Sequence, residues 1–123
     1  MQIAELNNGP GTYSVDVVGE SHYQKTLEKI CGGKTKNGHR LKVDAFLILE
    51  DDNQYDPKAV CVYIQEHTVG HLDRETARSF RKQLEVAGLT EVAMKCSAKI
   101  VGGWDRGGDD QGHFGVKIDL PTE

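Results

Sequence analysis

Between Leu41 and Glu50 apolar residues hold every second position, at Leu41, Val43, Ala45, Leu47 and Leu49. Side chains along a strand point alternately to two faces, so this run is a long strand with one face in a core. Val92–Val101 repeats the pattern at Val92, Met94, Cys96, Ala98 and Ile100. Shorter β-branched runs at Tyr13–Val18, Ala59–Glu66, Thr68–Leu72 and Phe114–Leu120 bring the expected total to about six strands. Two stretches break the alternation. Ser21 and Gln24 have capping-box spacing ahead of Tyr23, Leu27, Ile30 and Cys31, which predicts a short helix ending at Gly32-Gly33. Asp73 is placed to cap a helix over Arg74–Ala87, with Ala77, Phe80, Leu84 and Ala87 on one face and Gly88 at its end. The expectation is a mainly β fold with two helices, a single-domain antiparallel OB-like β-barrel of about six strands. Residues 1–12 are expected to be a flexible N-terminal segment and 13–121 the domain.

The 123 residues suffice for one hydrophobic core without metals or disulfides as staples. With 15 Lys+Arg against 19 Asp+Glu the formal net charge is −4, which argues against coating duplex DNA by bulk charge. A small local nucleic-acid site stays open. No apolar run approaches the ~18 residues of a membrane span, and MQIAELNNGPGTYS lacks the regions of a signal peptide. Cys31, Cys61 and Cys96 form no CxxC and read as reduced thiols, so a cytoplasmic location is expected.

Three segments carry the chemistry: DVVGESHYQ, EDDNQYDPKAV and VGHLDRE. In this order and spacing they resemble the HIRAN domain, a small β-barrel-like module. The matching positions are Val18-Gly19 with His22-Tyr23, then Asn53, Tyr55, Asp56 and Ala59-Val60, then Val69-Gly70-His71-Leu72. The resemblance covers Ser14 to Leu89, and VGGW…GHFGVKIDL looks like the ending of bacterial members, which occur as stand-alone proteins. In DNA-remodelling helicases of this family the module binds single-stranded DNA at a free 3′ end. The resemblance therefore implies a non-catalytic single-stranded DNA-binding module for repair or processing, with the 3′-hydroxyl contacted by Asp56.

The residue types suit that task on their own terms. Tyr55, Tyr23 and His22 offer flat faces on which unpaired bases stack. Asp56 accepts hydrogen bonds and repels phosphate, which favours a terminal hydroxyl over a continuing backbone. Asn53, His71, Arg74 and Lys25 are candidates for phosphate or sugar contacts. Arg74, Arg78, Arg81 and Lys82 form a basic stripe, read at Arg81 and Lys82 as a solvated face. Lys25, Lys29, Lys34, Lys36, Arg40 and Lys42 form a second basic segment, opposed only by Glu28. Asn53, Asp56 and Pro57 also suit a plain turn with Tyr55 packed beneath it. Glu20 and the acidic run Glu50-Asp51-Asp52 work against phosphate.

Other chemistries find less in the sequence. His67 and His71 have HxxxH spacing but fall on a strand pair, without CxxC or HxxE, so no metal is expected. Asp105, Asp109 and Asp110 lack a calcium-loop pattern. No nucleophile elbow, phosphate loop or dinucleotide fingerprint is present, and no cofactor is expected. Glu50, Asp51, Asp52 and Asp56 share one turn without reason to converge as a nuclease centre. Any processing is left to a helicase or nuclease partner. The alternative reading is a protein–protein interaction module on the same scaffold, acting through Trp104 or a sheet edge.

Overall fold

The computed structural model describes residues 2–5, 11–89 and 92–120. Its elements run β1 (Gln2–Glu5), β2 (Val15–Val18), α1 (Gln24–Cys31), β3 (His39–Glu50), β4 (Ala59–Ile64), β5 (His67–Leu72), α2 (Arg74–Ala87), β6 (Val92–Gly102) and β7 (Phe114–Ile118). The two alternating runs become β3 and β6, paired antiparallel from His39↔Gly102 to Leu47↔Met94. From β3 the sheet continues through β4, β5, β2 and β7, and β7 pairs again with β6. The result is a closed six-stranded antiparallel barrel of OB-like form, as the alternation predicts. Closure satisfies the backbone groups that an open sheet would leave at its edges.

The inward positions fill the barrel with small and branched side chains: Ala45 and Leu47 of β3, Val60, Val62 and Ile64 of β4, Ala98 and Ile100 of β6, and Phe114, Val116 and Ile118 of β7. α1 adds Leu27, and α2 adds Ala77, Phe80 and Leu84. The ends of α2 are those its flanking residues predict. Asp73 Oδ1 accepts from the Thr76 backbone N–H at 2.8 Å, and Gly88 takes the left-handed conformation at φ 74°.

Gln2–Glu5 pairs in parallel with Val92–Lys95. Gly11 and Tyr13 donate backbone N–H groups to the buried Asp119 carboxylate at 2.9–3.3 Å. Met1, residues 6–10 and Pro121 lie outside the described residues. The Ser21–Gln24 capping box does not form. A single 3₁₀ turn spans Glu20–Tyr23, and the Gln24 amide bonds to both backbone groups of Phe114, accepting from N at 2.7 Å and donating to O at 2.9 Å. One amide thereby satisfies the donor and the acceptor at the start of β7, which a cap could not do. Finally β4 stops at Ile64, because Gln65 and Glu66, with φ of 51° and 67°, make a two-residue turn into β5.

Candidate nucleic-acid interface

Three strands meet at one rim of the barrel. Glu50 ends β3 opposite Ala59, and His71 of β5 lies opposite Cys61 of β4. The 51–58 loop leaves from this rim, and Asn53 organises it. Its Oδ1 accepts from the backbone N–H groups of Tyr55 (2.9 Å) and Asp56 (3.0 Å), while its Nδ2 donates to Glu50 Oε1 at 3.1 Å. Asp56 Oδ1 accepts from the Lys58 backbone N–H at 3.0 Å, and Asp56 O accepts from Ala59 N at the same distance. Asn53 and Asp56 therefore do build the turn that their types favour. Tyr55 does not pack beneath it. The ring is 92% exposed and stands free on a loop whose backbone is fixed on both sides.

α2 supplies the other wall. Arg81 donates to Lys58 O at 2.7 Å and Ala59 O at 2.8 Å, and pairs with Asp51 at 2.7 Å. Its side chain is only 16% exposed, so the solvated reading fails at this residue. Arg81 is the positioning residue that composition and spacing passed over. The available signal was spacing alone: positions 74, 78 and 81 share one helical side. Arg78 reaches Asp56 Oδ1 at 3.4 Å, and Arg74 Nε lies 3.9 Å from Asp56 Oδ2 while its side chain is 78% exposed. Asp51 of the acidic run and Asp56 beyond it are thus each paired with cations of α2.

His71 Nε2 sits 2.7 Å from Glu50 Oε1. A carboxylate cannot donate, so Nε2 carries the proton. His71 also joins the two halves of the candidate set. Its strand neighbour on the other side is Val18 of β2, after which the 3₁₀ turn carries exposed His22 and half-buried Tyr23 and packs against β5, with exposed Lys25 just beyond. Asn53, Tyr55, Asp56, His71 and Arg74 thus form one connected group, and His22, Tyr23 and Lys25 flank it across the β2–β5 seam.

This seam is tight, since a Cβ on Gly70 would lie 2.6 Å from Val18 O. On the other side of β5, against β4, the register shifts between Val62↔Gly70 and Tyr63↔Thr68, leaving Val69 as the extra residue of a bulge. A groove of about 870 Å³ is lined by Glu20, Arg40, Arg106, Lys117 and Trp104 among others. Trp104 itself is half-buried. Its ring fills the space where a Cβ on Gly112 would sit (2.4 Å), and its Nε1 donates to Asp110 at 3.2 Å.

Burial pushes the Cys61 thiol up to about 11, with Glu50 adding to the rise and Thr68 opposing it. It pushes Cys96 up to about 12 and raises Cys31 as well. Only thiolate alkylates readily. Iodoacetamide at neutral pH should therefore modify partly exposed Cys31 first, and Cys61 and Cys96 only in denaturant. Mass spectrometry of the native protein checks this, and equal labelling of Cys61 and Cys31 would contradict it.

A family model for the HIRAN domain matches residues 10–99, which is well over half of the chain. No match was found among the curated proteins or among the solved structures.

Proposed function

The chain belongs to the HIRAN domain family of DNA-binding modules, and on that footing we propose that it binds single-stranded DNA at a free 3′ end without catalysing a reaction. The observation that carries this reading is the free Tyr55 ring standing beside Asp56 on a braced loop. A ring held on fixed backbone can stack on the last base with little loss of freedom. Asp56 Oδ1 is taken up by Lys58 N and Arg78, whereas the 3.9 Å from Oδ2 to Arg74 is too long for a hydrogen bond. Lone pairs of Oδ2 are thereby left for a terminal hydroxyl, whereas a 3′-phosphate would set acceptor oxygens against an acceptor there. Asn53, His71, Arg74 and Lys25 take sugar or phosphate contacts in this scheme, with Tyr23 and His22 flanking a second base. The groove by Arg40 and Arg106 offers the strand a route toward its 5′ side.

The proposed binding unit is residues 13–121, acting in the cytoplasm on ends that a helicase or nuclease partner exposes. No helix among the described residues is long and apolar enough to cross a membrane. The reading of Trp104 as a partner anchor draws no support from a ring packed on its own loop.

Fluorescence anisotropy with oligonucleotides ending in 3′-hydroxyl or 3′-phosphate tests the proposal. A hydrogen bond to a charged acceptor contributes ~1.5–3 kcal/mol, so the hydroxyl end should bind roughly 10- to 150-fold tighter. Asp56→Asn keeps an acceptor for Lys58 N and should erase most of that difference. Equal affinity of the wild-type protein for both ends, or none at low salt, would refute end recognition.

A further inference from the structure

We propose that Glu50, Cys61 and His71 form a site for one divalent transition-metal ion of zinc type. The three residues come from adjacent strands whose register brings them together. Cys61 and His71 are direct cross-strand partners, and Glu50 faces Ala59, two positions from Cys61 and on the same face. One ligand atom from each lies within 4.8 Å of the other two.

Cys61 is the unusual member. The inward side chains of β4 are Val60, Val62 and Ile64, so Cys61 points out of the barrel and is absent from the interior cluster. It is nevertheless fully buried, under Glu50 and His71 rather than in the core. Its hydrogen bond to Thr68 Oγ1 is a long 3.6 Å. A thiol with an imidazole and a carboxylate at its mouth is a donor set that selects zinc-like ions over magnesium or calcium, which prefer all-oxygen shells.

The geometry needs adjustment of about an ångström, since donors as much as 4.8 Å apart would have to draw together. Metal–ligand bonds of ~2.0–2.3 Å in a tetrahedron separate neighbouring donors by about 3.5 Å. The present His71–Glu50 contact of 2.7 Å would have to open by roughly an ångström or less, within reach of two partly exposed side chains. Asn53 Nδ2, already donating to Glu50 Oε1 at 3.1 Å, is an outer partner of the kind that orients a ligating carboxylate. On binding, the Cys61 thiol gives its proton to solvent, the His71 Nε2 proton is exchanged through solvent to Nδ1, and the thiolate and the freed Nε2 take the ion. Three protein ligands leave one coordination position open on the exposed side. The site shares His71 with the DNA interface but does not depend on DNA binding.

The full-length protein, stripped with chelator and dialysed, should be titrated with Co²⁺ and then Zn²⁺. The expected result is one ion per chain, a thiolate-to-cobalt charge-transfer band, and displacement of that band by Zn²⁺. Cys61→Ser should abolish the band, His71→Ala should weaken binding by at least about tenfold, and Cys31→Ser should change neither. Circular dichroism confirms that each variant is folded, and should Cys61→Ser not fold, the partly exposed His71 provides the deciding variant. Absence of the band in folded wild-type protein overturns the site, as does a band that survives Cys61→Ser or an affinity untouched by His71→Ala.

Discussion

Tyr55→Ala is expected to lower affinity for single-stranded DNA by roughly 5- to 150-fold, the equivalent of ~1–3 kcal/mol of base stacking, at unchanged melting temperature. At 92% exposure the ring contributes almost no burial to the fold. What Tyr55 gives the loop is its backbone N–H to Asn53 Oδ1, and alanine keeps that bond. Affinity and stability are therefore separable here, which is unusual for an aromatic residue. Tyr55→Phe should retain most of the affinity, because the π-face stacks and the hydroxyl does not. The loss should be similar for different homopolymers, since every base presents a face, and should leave the salt dependence of binding intact, since no phosphate contact is removed. Anisotropy titrations at two or more salt concentrations, paired with thermal melts, measure all of this. Undiminished affinity of a folded Tyr55→Ala protein would remove the stacking platform from the proposed interface.

How far the sequence reveals such a site depends on the range of the interaction that builds it. Alternation at Leu41–Leu49 and Val92–Ile100 is local, set by the period of the strand, and the barrel strands follow from it. The caps of α2 are equally local, since Asp73 meets Thr76 three residues on. Pairing of Gln2–Glu5 with Val92–Lys95 joins segments about ninety residues apart, and QIAE carries no mark of its partner. Gln24 is a similar case: capping spacing suggests a bond to its own helix, whereas the backbone of Phe114, brought alongside by the barrel, satisfies its amide twice.

The interface shows the same division. Asn53, Tyr55 and Asp56 stand out as residue types, but turn-forming and ligand-binding roles call for the same side chains. Only the accounting of oxygen atoms separates them, with Asn53 Oδ1 and Asp56 Oδ1 occupied by backbone N–H groups. Arg81 reads as one charge among several on a helix until the loop folds onto it. The approach of Cys61 to His71 and Glu50 is a matter of register, and the bulge at Val69 that helps set that register is marked in the sequence only by Gly70 beside it.

Gly70→Ala should destabilise the protein by ~2–3 kcal/mol and lower its melting temperature by about 10 °C. A Cβ at this position would come within 2.4 Å of Val17 Cγ1 and 2.6 Å of Val18 O. Val17 could rotate away from the first contact. The second is with backbone, so β2 itself would have to move from β5. These strands share only the pairs Val17↔Leu72 and Val18↔His71, and losing them opens the barrel between β5 and β2. The same shift would draw the Glu20–Tyr23 turn away from His71, so single-strand binding should weaken even in the fraction that stays folded. Gly107→Ala serves as the comparison, because it has a positive φ of 96° but nothing within 4 Å of its Cβ, and should cost only the ~1 kcal/mol of an unfavourable backbone conformation. The double variant Val17→Ala, Gly70→Ala should recover little, since the collision with Val18 O remains. Urea and thermal melts of the set decide the matter: a Gly70→Ala protein as stable as Gly107→Ala would mean that β2 and β5 are not held at this distance.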